Sequence, residues 1–311
     1  MSDPTSRPGL AFVVNPVSGT KMGRDIADKI SVGLSGREVR DTETQPGSDG
    51  PRQVEFCGDD DCVLLGGDGT ANKFVNAMGS SRSPIAFYGV GTINVLSRAL
   101  GLPQAVDAFV AMLKKRRLVD VPLAVVRGGS RFLMFYEIGF MGRIVCRVNI
   151  FRDKHDSHSK LEFVFFTIWE LLKLWPRRYS VTVIGGEAET TRGPYSNVLV
   201  TRVREYAGTM PMPIPSDIAR PILDRRFQVV GYRTRWFGSS LLILLFATTR
   251  LLPRLTPLLT KLGFLETFRA AQVRIDGASP ANTCQVDAET ADATLPDDIS
   301  LEDEPIPMYV P

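Results

Sequence analysis

The chain has few of the residues that build disulfide frameworks or metal clusters. Its 311 residues include two histidines and four cysteines, and Cys57, Cys62, Cys146 and Cys284 follow neither disulfide nor metal-ligand spacing. Its longest apolar run, residues 241–247, is far shorter than the ~20 residues that a membrane span needs. No apolar stretch typical of a signal peptide opens the sequence. These absences argue against a secreted scaffold or an integral membrane protein and predict a protein of the reducing cytoplasm.

Positive charge is missing from the C-terminal part of the chain. Residues 275–311 contain nine acidic residues and no Lys or Arg, so the preceding part carries all 37 basic residues with 25 acidic ones, a net charge of +12. A basic body attracts nucleic acid or acidic lipid headgroups. The aromatic and apolar residues mixed with basic ones in residues 160–178 and 236–255 favour lipid and suit helices at a membrane interface. Core helices are the alternative for both segments.

The order of apolar patterns indicates two domains. A length of 311 residues and an apolar content of 44% are typical of a globular protein with more than one core. Strands and helices alternate to about residue 120, which predicts an open parallel sheet of the α/β class. Short β-type runs then follow and predict a β-rich second domain. These runs are residues 132–138, 179–184, 197–202 and 227–232.

The most informative segment places a carboxylate between glycines where a strand gives way to a helix. Residues 62–65 are an apolar run, residues 66–70 read Gly-Gly-Asp-Gly-Thr, and residues 70–78 have apolar residues at helical spacing. Glycines let backbone N–H groups and a helix N-terminus point at one anion, which favours a phosphate site. Asp68 would repel a bare phosphate, so its presence points to magnesium binding or proton abstraction in phosphoryl transfer. A simple tight turn is the alternative.

Two further segments repeat this strand, polar turn and helix pattern. Residues 12–19 end in Asn-Pro-Val-Ser-Gly before a helix predicted at about 25–34, and residues 87–94 end in Gly-Thr-Ile-Asn before a helix predicted at 95–100. The carboxyl ends of parallel strands meet at one edge of a sheet. We therefore expect the three turns to converge on a nucleotide site.

These segments resemble the nucleotide motifs of the diacylglycerol kinase catalytic-domain family, which includes bacterial lipid kinases and sphingosine and ceramide kinases. Asn-Pro-x-Ser-Gly at 15–19, Gly-Gly-Asp-Gly-Thr at 66–70 and Gly-Thr-x-Asn at 91–94 occur in the family's order. Val-Asp-Ala-Glu at 286–289 is similar to the family's Val-Asp-Gly-Glu and implies a catalytic role for Glu289. The resemblance runs over nearly the whole chain.

The resemblance implies ATP and Mg²⁺ as cofactors and assigns residues to them. Asp68 and Glu289 would be catalytic, and Asp68 would also ligate magnesium. Bacterial members hold a structural magnesium ion, for which the ligands here would be the Asp224 carboxylate and the carbonyls of Pro221 and Arg226. The residues assigned to the nucleotide are Asn15, Ser18, Gly19, Thr44, Gly66, Gly67, Asp68, Gly69, Thr70, Asn72, Gly91, Thr92 and Asn94.

The resemblance also implies the division of the chain. We expect an N-terminal α/β nucleotide-binding domain, similar to those of phosphofructokinases and NAD kinases, at residues 1–122. Residues 123–287 would form a β-rich, sandwich-like lipid-substrate domain, and about residues 288–311 would return to complete the first domain. That return would bring Glu289 to Asp68.

Three positions depart from the family pattern. Lys73 follows Asn72 where glutamate is usual, Ala288 replaces a glycine, and Arg225 stands where Asp-Gly is usual. Lys73 inverts a charge beside the predicted phosphate site. An Ala or Arg at a position with positive φ costs on the order of 1 kcal/mol, which a folded scaffold tolerates.

We therefore predict an ATP-dependent lipid kinase that transfers the γ-phosphoryl group to a hydroxyl of a lipid such as diacylglycerol. Its predicted partners are the lipid and, through peripheral contact, the anionic inner face of the cell membrane, with no nucleic acid; a homodimer is compatible with the sequence. One alternative is a kinase of the NAD-kinase type with a soluble acceptor. The other is a lipid-binding regulatory protein with little turnover.

Overall fold

The computed structural model divides the chain into two compact units, residues 1–123 with 303–311 and residues 124–302. Each unit has sheets of its own. The structure describes residues 8–19, 22–44, 50–91, 93–139, 142–144, 146–147, 151, 169, 179–185, 189–206, 210–214, 218–233, 251–277, 281–287 and 289–311.

The first unit contains a six-stranded sheet that is parallel except at one edge. Its strands are β1 (Leu10–Val14), β2 (Val39–Glu43), β3 (Asp61–Gly66), β4 (Ile85–Gly89), β5 (Leu118–Val121) and the last strand of the chain, β20 (Ile306–Tyr309). Its helices are α1 (Gly23–Gly33), α2 (Gly50–Cys57), α3 (Asp68–Ala77), α4 (Val95–Leu100) and α5 (Val106–Lys115). The strand order is β2-β1-β3-β4-β20-β5, and β5 runs antiparallel to β20.

The central strands do not alternate between apolar and polar residues, because both of their faces are buried. Every residue of β1, β3 and β4 is buried, as expected for parallel strands covered on both faces. The predicted parallel sheet is therefore confirmed.

The C-terminal strand is held in the first unit by a buried acidic residue. Asp61, at the start of β3, receives hydrogen bonds from the Tyr309 hydroxyl and from the Arg116 guanidinium, whose Nε is 2.8 Å from the carboxylate. The return to this unit begins at Asp303 and not at about residue 288 as predicted. The reason is that residues 289–301 form two strands that pair within the second unit.

The second unit is built from two six-stranded sheets and a two-stranded ribbon. Its strands are β6 (Ala124–Val126), β7 (Arg131–Phe132), β8 (Phe135–Gly139), β9 (Tyr179–Ile184), β10 (Thr190–Tyr195), β11 (Asn197–Thr201), β12 (Glu205–Tyr206), β13 (Met210–Pro211), β14 (Phe227–Tyr232), β15 (Leu265–Ala270), β16 (Gln272–Gly277), β17 (Ala281–Val286), β18 (Glu289–Thr294) and β19 (Asp297–Leu301). It also contains a 3-10 turn (Pro221–Leu223) and helix α6 (Leu252–Lys261). The sheet orders are β10-β9-β16-β19-β6-β7 and β15-β14-β11-β8-β17-β18.

One hydrophobic core joins the two large sheets. Alternate residues point into it, such as Tyr136 with Ile138 on β8 and Val198 with Val200 on β11. This period of two is typical of a strand with one face in the core. The strand-rich, sandwich-like second domain is thereby confirmed.

The strand predicted at residues 132–138 is two strands in different sheets. β7 ends at Phe132 and pairs with β6, whereas β8 begins at Phe135 and pairs with β11 and β17. The backbone N–H groups of Leu133 and Met134 donate instead to the buried carboxylate of Asp287, at 2.7 and 2.9 Å. A side chain 154 residues from Leu133 thus supplies the acceptor that a continuous ladder would have supplied.

Within the described residues, no helix is both long and apolar enough to cross a membrane. The predicted membrane-interface segments lie largely outside the described residues: only Trp169 of residues 160–178 and residues 251–255 of the second segment are within them. Trp169 is 44% exposed.

Asp297 is a nearly fully buried carboxylate beside a cavity of about 470 Å³ at the end of the sandwich core. It accepts a hydrogen bond of 2.8 Å from the Tyr136 hydroxyl. Burial raises its pKa from 3.8 to about 6. Because the folded pKa exceeds the unfolded value, its contribution to stability is complete below pH 4 and is lost as the pH rises through about 6.

Replacing Asp297 by Asn should therefore stabilise the protein at pH 7. We expect the free energy of unfolding to exceed that of the parent by up to about 3 kcal/mol at pH 7 and the gain to vanish near pH 4. Urea denaturation from pH 4 to 8 measures this, with Asp120→Asn at an exposed residue of β5 as the control. A variant that is less stable than the parent at every pH would contradict the expectation.

Candidate active site

Four parallel strands of the first unit end side by side, in the order β2, β1, β3 and β4. The Thr44 N–H donates to the Val14 carbonyl and the Asn15 N–H to the Leu65 carbonyl, each at 2.8 Å. The residues that follow these strands therefore lie at one edge of the sheet. Such an edge is where open α/β sheets bind ligands.

The first and second glycine-containing turns are joined through side chains. Asn15 Nδ2 donates to Thr70 Oγ1 at 2.8 Å, while Asn15 Oδ1 accepts the Val17 N–H at 3.2 Å. The Thr70 N–H donates to the Gly67 carbonyl at 3.0 Å. Asn15 and Thr70 thus shape the loops, and their predicted contact with a nucleotide stays a prediction.

Glycines allow the turns to touch through their backbones. Gly19 has φ 56°, and a Cβ there would lie 1.9 Å from the Val90 carbonyl oxygen. A Cβ on Gly91 would lie 2.8 Å from Gly67 Cα. Since real Cβ atoms do not approach so closely, side chains at these positions would push the three turns apart.

Asp68 is the first residue of α3, and its half-buried carboxylate is held by the N-terminus of α4. Its Oδ2 accepts the Val95 N–H and its Oδ1 the Leu96 N–H, both at 3.0 Å. Burial raises the pKa of Asp68, and the two amide hydrogen bonds and the Arg98 charge oppose that rise. The carboxylate is thereby fixed in direction beside the glycine turns.

Asn94 sets the geometry of the α4 N-terminus that holds Asp68. It has φ 52°, a left-handed conformation that Asn tolerates better than most residues. Its Nδ2 donates to the carbonyls of Gly89 and Gly91 at 3.0 and 2.8 Å. The hydrogen bonds described for the Asn94 side chain are thus with backbone carbonyls of its own loop.

The remaining predicted nucleotide residues of the first unit fall into three groups. Ser18 lies over Gly67, since a Cβ on Gly67 would be 3.3 Å from Ser18 Oγ. Gly66 and Gly69 flank Asp68 in the turn, and Asn72 is buried one turn into α3, beside the exposed Lys73. Thr92 lies outside the described residues.

The fourth motif forms the turn between β17 and β18 in the second unit. Glu289 is the first residue of β18, half-buried and opposite Val286. Asp287 is fully buried, has φ 49°, and accepts N–H groups of Leu133, Met134 and Phe135 at 2.7 to 2.9 Å. Asp287 therefore fixes the turn that carries Glu289. Ala288 lies outside the described residues.

Asp224, the predicted ligand of a structural magnesium ion, already has two partners. Its Oδ2 forms an ion pair with the Arg269 guanidinium, and its Oδ1 accepts the Arg226 N–H at 3.0 Å. The Pro221 carbonyl accepts the Asp224 N–H at 3.1 Å. Magnesium takes six oxygen ligands at 2.0–2.1 Å, and a guanidinium on the only carboxylate of this set does not fit such a site.

Sequence reasoning missed two functional candidates in the second unit. Asp287 was identified only as part of the Val-Asp-Ala-Glu motif, with no role of its own. An Asp directly after an apolar strand can nevertheless indicate a side chain that accepts backbone N–H groups. Arg202 is fully buried and donates to the carbonyls of Leu133 and Ile222. Nothing in its local sequence distinguishes it from the other 36 basic residues. In the part of the chain that the structure describes, no group of three or more His, Cys, Asp or Glu residues is arranged to hold a metal ion.

The sequence of residues 9–126 matches the diacylglycerol kinase catalytic domain family. That segment contains the three glycine-containing motifs, so the match confirms the family resemblance over this part of the chain. No curated protein matches the sequence significantly.

Three solved structures from Bacillus anthracis str. Sterne have a similar fold. They are described as diacylglycerol kinases, two of them provisionally, and each alignment covers 99% of this chain and 98% of the other. Their sequence identities are 18%, 19% and 20%, with TM-scores of 0.68, 0.69 and 0.69. The likeness establishes a shared fold over the whole chain.

Proposed function

We propose that this chain, which carries a diacylglycerol kinase catalytic domain over residues 9–126, is an ATP-dependent kinase that phosphorylates the hydroxyl of a lipid such as diacylglycerol. The observation that carries the proposal is the carboxylate of Asp68. It is fixed by two backbone amides among glycine turns at the ligand-binding edge of a parallel sheet. A directed carboxylate beside a phosphate cradle suits phosphoryl transfer, in which positioning and charge neutralisation supply most of the rate.

The glycine turns fit a nucleotide polyphosphate. The N–H groups at the start of a helix have no preceding turn to donate to and so can bind an anion; in α3 the first of them belong to Asp68 and Gly69. Gly19 lies against Val90 and Gly91 against Gly67 with no room for a Cβ, so these turns would present backbone groups to the phosphates. The amides of Gly66, Gly67 and Gly69 would bind the phosphates, and Thr92 is the proposed hydroxyl donor.

Asp68 is the proposed ligand for magnesium bound with the nucleotide. The ion would neutralise the charge of the phosphates. Asp68 and Glu289 would orient the acceptor hydroxyl and accept its proton. The amide hydrogen bonds of Asp68 favour its ionised form, the form required for either role.

Helix α6 supports a lipid acceptor and contact with a membrane. Its buried side contains Leu252 and Leu259, while Leu258 on the helix and the two capping residues Leu251 and Leu262 are 52%, 39% and 58% exposed. The exposed leucines are seven and four residues apart and so lie on one face of the helix. The exposed Arg254 and Lys261 accompany them. An exposed apolar stripe with basic neighbours suits a helix at an anionic lipid surface, and a soluble acceptor does not need it.

The proposed function is tested by transfer of labelled γ-phosphate from ATP to lipids in mixed micelles, with NAD and sugars as soluble acceptors. Labelling of a lipid supports the proposal. Labelling of a soluble acceptor alone would establish the NAD-kinase-like alternative. Nucleotide binding without transfer to any acceptor would favour a regulatory protein, the alternative suggested by the departures at Lys73, Arg225 and Ala288.

Exchanging the exposed leucines of α6 for acids should weaken membrane binding. We expect Leu258→Glu with Leu262→Glu to reduce binding to vesicles containing anionic lipid by about tenfold or more, because apolar contact and charge attraction are both lost. Binding by the parent should also fall as salt rises, since such attraction is screened within about 8 Å at physiological ionic strength.

Val32→Glu is the matched control, because Val32 is an apolar residue of α1 that is 78% exposed in the first unit. Sedimentation with vesicles and thermal unfolding are measured on all variants. Equal vesicle binding by the parent and the α6 variant would remove α6 from the membrane surface. Replacing Trp169 and Trp175 by Ala, both in the aromatic and basic segment 160–178, is a second test of membrane contact, although Trp175 lies outside the described residues.

A further inference from the structure

Arg202 is a fully buried cation at the end of β11 in the second unit. Its Nη1 donates to the Leu133 carbonyl at 3.4 Å and its Nη2 to the Ile222 carbonyl. A buried charge is tolerated when it is hydrogen-bonded and near opposite charge. Arg202 therefore ties the segment between β7 and β8 to the 3-10 turn at Pro221–Leu223.

The Leu133 end of this link leads to the turn before Glu289. The Leu133 carbonyl accepts from Arg202, and the Leu133 N–H donates to Asp287 at 2.7 Å. Arg202 and Asp287 thus hydrogen-bond to the carbonyl and the N–H of the same residue, Leu133. Asp287 also donates its own N–H to the Phe135 carbonyl at 2.9 Å.

The Ile222 end leads to Asp224 and Arg269. The Asp224 N–H closes the 3-10 turn on the Pro221 carbonyl, and the Asp224 carboxylate pairs with Arg269 on β15. β15 is bound along its length to β14, with Arg269 opposite Gln228. The Arg269 guanidinium is thereby carried by a paired strand.

The negative charges of two carboxylates stabilise the charged form of the buried Arg202. Burial lowers its pKa to about 10, and the charges of Asp287 and Asp224 oppose that fall. Arg202 thus keeps its charge at neutral pH. Two guanidinium groups thus hydrogen-bond to this turn, the buried one of Arg202 at the Ile222 carbonyl and the more exposed one of Arg269 at the Asp224 carboxylate.

We propose that Arg202 and Arg269 take the place of a structural metal ion in this region, so that the Asp224 turn and the Asp287 turn are held together without magnesium at Asp224. Arg202 is a positioning residue for Glu289, because it acts through Leu133 on Asp287, which fixes the turn before Glu289. Its effect on catalysis by Glu289 rests on the proposed function, whereas the lack of a metal requirement at Asp224 does not.

Thermal unfolding without nucleotide tests the metal requirement. The parent, Asp224→Asn and Asp68→Asn are unfolded in EDTA and in millimolar Mg²⁺. An ion present at 100 times its dissociation constant would raise the midpoint by about 5–10 °C. We expect the parent to unfold at the same temperature in both solutions. A rise in the parent that Asp224→Asn abolishes and Asp68→Asn retains would overturn the proposal, whereas a rise abolished only by Asp68→Asn supports it, because the ion then binds elsewhere.

The role of the two arginines is tested by substitution. Arg269→Ala should lower the unfolding midpoint by several degrees in EDTA, and Arg269→Lys should recover most of that loss. Equal midpoints of the parent and Arg269→Ala would overturn the role of Arg269.

Arg202→Lys keeps the charge but cannot bridge two carbonyls, and Arg202→Met removes the charge. For Arg202→Lys we expect kcat to fall about tenfold with an unchanged KM for ATP. An unchanged kcat would contradict its positioning role, and if Arg202→Met does not fold, the Lys variant decides.

If no acceptor is phosphorylated by the parent protein, the proposed function fails while the unfolding experiments still decide on the metal. If lipid is phosphorylated and the parent is stabilised by Mg²⁺ through Asp224, the proposed function stands and the present inference fails.

Discussion

Replacing Asp68 by Asn should lower phosphoryl transfer by about 10³-fold or more, because the change removes the charge that we propose binds magnesium or accepts the proton. The carboxylate that it removes is directed by the amides of Val95 and Leu96. An Asn side chain has one oxygen and one NH₂ group, so one of those two amides loses its acceptor. We therefore expect a loss of stability of about 1–3 kcal/mol beside the loss of activity.

The matched control for Asp68→Asn is Asp25→Asn, which makes the same chemical change in the first turn of α1 at an exposed residue. Transfer is measured from initial rates with saturating ATP. A thermal unfolding curve of each variant shows whether it is folded at the assay temperature. Asp25→Asn should transfer phosphate at the parent's rate. Turnover by folded Asp68→Asn within a few-fold of the parent would remove Asp68 from the chemistry.

The first unit could be predicted from the sequence because its signals are local. α4 spans Val95–Leu100 as predicted, and β14 spans Phe227–Tyr232 as predicted in the second unit. The glycines of the turns were identifiable because each lies between an apolar strand and a helical pattern. Parallel strands then place their carboxyl ends at one edge, which follows from topology alone.

The second unit could be predicted only in outline, because long-range contacts determine its details. The break between β7 and β8 depends on Asp287, which no local pattern near Leu133 announces. The fully buried Arg202 is equally invisible, since an arginine next to a strand is usually exposed. The ion pair of Asp224 with Arg269 joins residues 45 positions apart and changes the interpretation of a predicted metal ligand.

Glu289 is expected to contribute to the chemical step and little to stability. The turn that carries it is fixed by Asp287, whose carboxylate accepts three backbone N–H groups. Glu289 itself is half-buried at the start of β18. Replacing Glu289 by Gln should lower kcat by about 10²- to 10³-fold, with the KM for ATP little changed, because an acid–base or orienting group is lost without loss of nucleotide contacts.

Asp287→Asn is the comparison that separates the two carboxylates. It leaves buried N–H groups of Leu133 to Phe135 without their full set of acceptors, so it should lower the unfolding temperature far more than Glu289→Gln. If Glu289 and Asp68 act on the same proton transfer, Asp68→Asn with Glu289→Gln should be hardly less active than Asp68→Asn alone, since residues that act as a unit are not additive. Multiplying effects in that double variant would show that the carboxylates act independently, and an unchanged kcat in Glu289→Gln would remove the fourth motif from the reaction.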